Sequence, residues 1–243
     1  MSEGARCIGI IGGMSPQSTV TYYQTIVRLH HEAEGDHAYP RIVIGSISFQ
    51  QVSDACHDGD WEEVARLVQQ EGEALARAGA DVLLIAANTI HRVLPELDLP
   101  RPLIPVYDAV AGAARAAGLT TLGLTGTRFT MTDGFYADAL EERGLKVILP
   151  TEDDMDEIHR IIYEELVSGV VKEESVEQFA SIARRLTERG AEAVLLACTE
   201  LEMLTRGAGL GVPALDTTTL HAEAAWREAV GTLPGEPSQA GRS

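Results

Sequence analysis

The sequence is poor in cysteine and lysine, and each scarcity excludes a class of protein. Three cysteines, Cys7, Cys56 and Cys198, stand among 243 residues, and their spacing matches no metal-ligand motif. An odd number of cysteines in such an arrangement argues against a disulfide framework and against a zinc site. We therefore expect reduced thiols and no bound metal.

Positive charge is scarce as well. The formal net charge is −18 at pH 7, and the lysines are limited to Lys146 and Lys172. Binding of nucleic-acid phosphates needs clustered Lys and Arg, so a nucleic-acid partner is excluded. An anionic substrate would have to be held by local backbone N–H groups and hydroxyls rather than by the overall field.

Long apolar runs are missing. The longest, such as residues 82–87 and 193–197, fall far short of the roughly 20 residues that a membrane span needs. Residues 1–6 hold no apolar core of signal-peptide length. We therefore expect a soluble, cytoplasmic protein without a membrane partner, and its 45% hydrophobic content is ample for buried cores.

Short apolar runs alternate with long amphipathic stretches, which is typical of parallel sheets with crossover helices. Strands are predicted at residues 7–11, 42–46, 82–86, 103–106, 121–124, 146–149, 193–197 and 214–215. Helices are predicted at about 16–34, 60–78, 90–94, 110–117, 131–143, 153–168, 176–190 and 219–230. Capping signals support two of the helix starts: Ser15 precedes Pro16, and Asp60 is followed three residues later by Glu63.

The two halves of the chain repeat. Residues 79–87 align without a gap with 190–198, which places Ala87 opposite Cys198. Two shorter matches join residues 9–12 to 123–126 and 105–108 to 213–216. The repeat predicts an α/β fold of two pseudo-symmetric lobes, 1–114 and 115–230, each a mainly parallel sheet flanked by helices. The chain is free to cross between them, the active site is expected between the lobes at carboxyl ends of strands, and 231–243 is predicted to be a flexible tail.

Cys198 ends a buried strand and opens a predicted helix with Thr199 and Glu200. A thiol there meets the positive end of the helix dipole, which would lower its pKa and favour a thiolate that acts as base or nucleophile. The alternative is an inert core cysteine. Cys7 is expected to be such a residue, and Cys56 is expected on the surface or in a loop.

Asn88, Thr89 and His91 follow the equivalent strand of the first half. Amide, hydroxyl and free N–H groups at such a turn can bind a carboxylate without a cation, although Asn88 and Thr89 could instead cap the next helix. For His91 three roles stay open: a catalytic acid, a partner of a carboxylate, or a packed polar residue.

Glycine-containing turns follow the first strand of each half. Gly12-Gly13-Met14-Ser15 lacks a full dinucleotide fingerprint, so we expect close approach of its backbone to a small ligand. The duplicate turn supplies Thr127 and one cation, Arg128, which would pair either with a substrate carboxylate or with a structural acid such as Asp133.

Together these motifs resemble the aspartate/glutamate racemase superfamily. The resemblance rests on residues 8–15 with Ser18-Thr19 and Tyr22-Tyr23, then 87–91, 126–131 and 197–200, in family order. It implies a two-lobed α/β fold, a cofactor-independent site between the lobes, a small carboxylate substrate and a homodimer. Two groups, usually cysteines, exchange protons on opposite faces of the substrate α-carbon, and by resemblance they fall at positions 87 and 198.

Ala87 departs from that pattern because a methyl group neither takes nor gives a proton. Three explanations stay open. Another group such as His91, Thr89 or a bound water serves that face, the chemistry is one-sided, or the alanine was engineered. Single-cysteine relatives decarboxylate disubstituted malonates, but the motifs at 12–15 and 88–89 are typical of the amino-acid racemase branch.

We therefore predict a racemase or epimerase of aspartate, glutamate or a related amino acid, with Cys198 as the proton-transfer group. The alternatives are a single-cysteine decarboxylase or isomerase of a small dicarboxylate, and a degenerate ligand-binding protein. Predicted substrate-binding residues are Met14, Ser15, Asn88, Thr89, Thr127, Thr199 and Glu200. Glu200 and His221 are expected to orient the thiol, and Gln50, Gln51 and Tyr163 are candidates for side-chain specificity.

Overall fold

The computed structural model describes residues 5–205 and 210–231, which fall into two compact units. The first unit lies within Met1–Pro105 and His221–Ser243, and the second is Val106–Leu220. The boundaries of these units differ from those of the sequence repeat. The lobes 1–114 and 115–230 therefore stay a prediction from sequence. Apart from residue 231, the predicted flexible tail lies outside the described residues.

A parallel sheet of three strands forms the centre of the first unit in the described residues. Its strands are β1 (Ile8–Gly12), β2 (Ile42–Ser46) and β3 (Val82–Ile85), in the order β2-β1-β3. Every residue of β1 and β3 is buried, which explains why both read as unbroken apolar runs. Since the strands are parallel, β1 and β3 present their carboxyl ends at one edge of the sheet.

Helices cover this sheet. They are α1 (Pro16–Glu34), α2 (Phe49–Asp58), α3 (Trp61–Arg77) and a 3₁₀ helix (Thr89–Glu96). The predicted caps are confirmed: the Ser15 hydroxyl accepts from the N–H of Ser18, and the Asp60 carboxylate accepts from the N–H of Glu63. Both helix starts are therefore fixed by local side chains, as their sequences indicate.

The second unit is built on a sheet of four described parallel strands in the order β5-β4-β6-β7. Their bounds are β4 (Thr121–Gly126), β5 (Lys146–Ile148), β6 (Ala193–Ala197) and β7 (Ala214–Asp216). The helices are α4 (Val106–Ala116), α5 (Arg128–Thr132), α6 (Phe135–Glu141), α7 (Glu152–Glu164), α8 (Glu173–Glu188) and α9 (Thr217–Val230), with 3₁₀ helices at Leu166–Ser168 and Thr199–Thr205. From His221 onward α9 belongs to the first unit. Two parallel sheets flanked by helices confirm the predicted α/β class.

Several local predictions are wrong. Residues 103–106 form no strand: Leu103 makes one isolated bridge with Leu83, and α4 begins at Val106. The helix predicted at 131–143 is broken into α5 and α6 at Gly134, whose φ of 85° is not helical. Helix α2 was not predicted, and it buries Cys56, which is therefore no surface or loop residue.

Candidate active site

The candidate site of the second unit lies where β4 and β6 end side by side. Gly126, the last residue of β4, pairs with Ala197, the last residue of β6. A Cβ atom on Gly126 would lie 3.0 Å from the carbonyl oxygen of Ala197, so glycine permits this close approach. Thr127 and Cys198 directly follow these two strands, and the structure thus brings these two predicted site residues to one sheet edge.

Cys198 is paired with Glu200. The thiol is nearly buried, and its S–H donates to Oε2 of Glu200 across 3.0 Å. The hydroxyl of Thr199 donates to the same oxygen across 2.7 Å. Oε2 of Glu200 therefore accepts from two neighbouring side chains at once. The single hydroxyl hydrogen of Thr199 is engaged within the chain.

The protonation of Cys198 differs from the sequence prediction. Burial raises the pKa of the thiol well above its ordinary value, and the negative charge of Glu200 raises it further. The backbone N–H groups of Glu200 and Leu201 act in the opposite direction and lower the pKa, but the first two effects dominate. The resting group is therefore a thiol, whereas the helix-start argument alone predicted a thiolate.

Thr127 and Arg128 occupy the end of β4. The Thr127 hydroxyl caps α5 by accepting from the N–H of Thr130, 3.4 Å away. The guanidinium of Arg128 forms ion pairs with Asp156 and, at 2.7 Å, with Glu152. The cation of this turn is thus neutralised by two acids of α7.

In the first unit, the turn after β1 is held by contacts within the chain. Gly13 has a φ of 91°, and a Cβ there would lie 2.1 Å from the carbonyl oxygen of Ile47. Its N–H donates to the hydroxyl of Thr19 across 2.8 Å. Glycine is therefore required at position 13 by the neighbouring backbone, and the approach of this turn to a ligand stays a prediction. Met14 is buried, and Ser15 is occupied as the α1 cap.

Ala87 and His91 meet at the end of β3. Ala87 is 8% exposed, and its carbonyl oxygen accepts from Nδ1–H of the His91 ring across 2.8 Å. Burial, together with the nearby His221, lowers the pKa of His91 to about 3. The imidazole is therefore neutral at physiological pH and holds the backbone at position 87. Asn88 is also buried but makes no side-chain capping bond, so the capping alternative for it is wrong.

His221 belongs to the same unit as His91. Its Nε2–H donates to the carbonyl of Ile104 across 2.8 Å, which leaves Nδ1 to accept from the hydroxyl of Tyr22, 2.9 Å away. The two imidazole rings lie 5.5 Å apart in an edge-on arrangement. Sequence reasoning missed the role of Tyr22, although the tyrosine pair at 22–23 is part of the resemblance. His221 is engaged by these two partners.

The specificity candidates lie on exposed helix faces. Gln50 and Gln51 are exposed on α2, where the Gln50 amide donates to Asp54 across 2.7 Å. Tyr163 is exposed on α7, with its ring 4.5 Å from that of His159. Within residues 5–205 and 210–231, no three His, Cys, Asp or Glu side chains are grouped so as to hold a metal ion. No helix in this part of the chain is long and apolar enough to cross a membrane.

Comparison with known proteins defines the class. Residues 11–225 match the model of the family described as Asp/Glu/Hydantoin racemase. A candidate Asp/Glu racemase from Yersinia pestis has a TM-score of 0.86 and 34% identity, covering 93% of this chain and 99% of its own. An aspartate racemase homologue from Pyrococcus horikoshii has a TM-score of 0.82 and 33% identity over the same shares.

The fold extends to more distant proteins. The aspartate racemase of Picrophilus torridus has a TM-score of 0.74 at 22% identity, covering 93% of this chain and 94% of its own, and therefore shows the fold alone. With a family match over most of its length, this protein is an isomerase of the racemase type. The chain belongs to the Asp/Glu/Hydantoin racemase family.

Proposed function

We propose that the protein is a racemase or epimerase of an acidic amino acid, aspartate or glutamate or a close relative. In this proposal Cys198 transfers the proton at the α-carbon, without a cofactor. One observation carries it: the Cys198 thiol and the Glu200 carboxylate lie 3.0 Å apart at the end of β6. The substrate class is supported by the homologue from Pyrococcus horikoshii, which is described by its likeness to aspartate racemase.

The chemistry suits a nearly buried thiol. The α-hydrogen of an amino acid is weakly acidic, so its removal needs a site that excludes water and presents oriented dipoles to the developing charge. Cys198 is 8% exposed and faces the amides of Glu200 and Leu201. Asn88, Thr89 and Thr127 are the proposed carboxylate-binding residues, and they suit a chain with so few lysines. Thr199 was predicted in the same role, but its hydroxyl donates to Glu200.

Ala87 supports a second candidate. The methyl side chain of Ala87 supplies no proton to a second face of the substrate. One-sided chemistry, in which carbon dioxide leaves a small malonate-like dicarboxylate and Cys198 protonates the carbanion, requires no group at position 87. The racemase proposal ranks first because the chain belongs to the racemase family over residues 11–225.

Deuterium exchange separates these functions. The protein is incubated in heavy water with single enantiomers of aspartate, glutamate and their relatives, and loss of the α-proton is followed by NMR. Exchange with inversion, read on a chiral column, is the expected result. Exchange that proceeds with retention alone would overturn the racemase proposal in favour of one-sided chemistry. The same conclusion would follow if no amino acid exchanged its α-proton while substituted malonates released carbon dioxide.

Two further measurements complete the test. Cys198→Ser is expected to abolish exchange while Cys56→Ser, in α2, retains it; equal rates would remove Cys198 from the mechanism. The homodimer implied by the family resemblance is part of the proposal, and light scattering of the protein in solution measures it directly. A monomeric mass would contradict that part alone.

A further inference from the structure

Glu200 contacts the reacting sulfur directly. Its Oε2 atom accepts from the thiol of Cys198 at 3.0 Å and from the hydroxyl of Thr199 at 2.7 Å. Cys198 is nearly buried, whereas Glu200 is partly exposed. The carboxylate therefore contacts a nearly buried thiol and is itself partly open to solvent.

We propose that Glu200 is the proton-holding partner of Cys198, taking the S–H proton when the sulfur acts as a base and releasing it to solvent afterwards. This inference rests on the proposed function, since it assigns a role within proton transfer by Cys198. It gives the single thiol of the site a route by which protons are exchanged with solvent, which matters because position 87 holds alanine.

The proton inventory of the step is simple. The S–H bond of Cys198 breaks, an O–H bond forms on Oε2 of Glu200, and sulfur keeps the electron pair. The thiolate then takes the α-hydrogen of the substrate as a proton, and that electron pair stays on carbon. Carbon is reprotonated on its other face by a proton from solvent, and Glu200 releases the proton it holds to solvent, so the thiol and the carboxylate are both restored. Total charge is unchanged in the first transfer, so no external oxidant, reductant or metal is needed.

The surroundings support both states of the pair. When the proton is on sulfur, the Thr199 hydroxyl stabilises the carboxylate. When the proton is on Glu200, the backbone N–H groups of Glu200 and Leu201 stabilise the thiolate. Among the described residues, Glu200 is the charged group whose field acts on Cys198. The pair is thus the local unit that decides where the proton resides.

The test measures thiol reactivity as well as turnover. Alkylation of Cys198 by iodoacetamide is followed against pH by mass spectrometry in wild type, Glu200→Gln, Glu200→Asp and a matched control, Glu202→Gln, from the same 3₁₀ helix. Glu200→Gln removes a neighbouring negative charge, so the midpoint should fall by about one pH unit or more. Turnover should fall on the order of a hundredfold, because the proton acceptor is lost.

The opposite signs are diagnostic: the thiol ionises more easily and yet the enzyme is slower. Glu200→Asp is expected to keep a wild-type-like midpoint and recover part of the turnover, and Glu202→Gln is expected to change neither. The peptides of Cys7 and Cys56, both buried, report any unfolding in the same sample. Should Glu200→Gln unfold, Glu200→Asp decides, because its shorter side chain should still cost several-fold in turnover.

An unchanged midpoint in Glu200→Gln, or turnover that equals wild type in either Glu200 variant, overturns the inference. The alkylation midpoint and the amino-acid exchange rate distinguish failure of this inference from failure of the proposed function. A shifted midpoint in a protein that exchanges no amino acid means that the pair is real and the racemase proposal fails. Amino-acid exchange with no shift means the reverse.

Discussion

The ends of β3 and β6 share one backbone design and differ in chemistry. Each strand runs into a 3₁₀ helix that is closed by a 3.1 Å backbone bond. The bond runs from His91 to Asn88 in the first unit and from Leu201 to Cys198, one position earlier in the aligned repeat, in the second. The aligned residues Ile90 and Leu201 are both buried. The repeat in the sequence therefore corresponds to a repeated local structure.

The titratable groups at these two ends differ. In the first unit a methyl side chain and a neutral imidazole occupy the end of the strand, with the imidazole bound to the backbone. In the second unit the Cys198 thiol donates a hydrogen bond to the carboxyl group of Glu200 across 3.0 Å. Duplication of a backbone turn therefore does not fix its chemistry, which depends on side chains that change one at a time.

The largest effect is expected from making the second strand end resemble the first. Cys198→Ala removes the only proposed proton-transfer thiol, and α-proton exchange should fall on the order of a thousandfold or more. Cys56→Ala, another buried cysteine, is the matched control and should keep its rate. Exchange that persists in Cys198→Ala would show that the difference between the strand ends is not functional.

The turns after β1 and β4 differ in backbone freedom, and Gly13→Ala tests this. The substitution forces a left-handed conformation on alanine and drives Cβ into the Ile47 carbonyl, so unfolding free energy should fall by about 3 kcal/mol or more. Urea denaturation measures this. Gly59→Ala, with φ of 72° and open space around it, should cost only about 1 kcal/mol. Similar losses at both sites would refute the role of the Ile47 contact.

His91 should make the first unit sensitive to acid. Its folded pKa of about 3 lies below the ordinary 6.5, so only the unfolded state binds its proton between these values. The stability that neutral His91 contributes is therefore fully present above pH 6.5. It is lost as the pH falls towards 3, where the free energy of unfolding decreases by about 1.4 kcal/mol per pH unit. The groups facing the ring are His221 and the carbonyls of Ala87 and Asn88.

His91→Gln should remove that slope from urea denaturation curves taken between pH 4 and 7. At neutral pH it should cost about 1 kcal/mol or more, because the hydrogen bond to Ala87 is lost or lengthened. The exposed His57, replaced by glutamine, serves as control and should leave the acid slope in place. A His91→Gln slope equal to that of wild type would contradict the buried, neutral imidazole.

The smallest effect is expected from restoring a thiol to the first strand end. Ala87→Cys supplies the second cysteine that the family resemblance predicts at this position, and the fraction of exchange that proceeds with inversion should rise by about tenfold or less. Ala86→Cys, one residue earlier and fully buried, should give no gain. A loss of activity in Ala87→Cys alone would mean that alanine is required for packing there. That result would weaken the hypothesis that groups at positions 87 and 198 exchange protons on opposite faces of the substrate.

Sequence periodicity predicted most of the strands, and most directly β1, β3 and β6, which are buried throughout and read as apolar runs. It failed where local signals compete. Pro102 and Pro105 flank residues that look like a strand, yet only Leu103 pairs, and the chain turns into α4. Helix α2 carries its buried residues at Val52, Ala55 and Cys56, a helical spacing that would have revealed it.

The sequence predicted which residues lie together at the strand ends, but not the protonation of their side chains. The repeat located Cys198 and Ala87, and the strand-to-helix turn placed Thr199 and Glu200 beside the thiol. The direction of the Cys198 pKa was not predictable, since it depends on burial and on which way the Glu200 side chain points. His91 was likewise left open, because its bond to its own backbone depends on a side-chain rotamer.

The fixed alignment of β6 with β4 has an evolutionary consequence. All five residues of Ala193–Ala197 are buried, and Gly126 leaves no slack against Ala197. Side chains alternate along a strand, so a one-residue deletion inside β6 would turn the sulfur to the opposite side of the sheet. As related chains diverge, length changes should therefore collect in the surface connections, while this span keeps its number of residues.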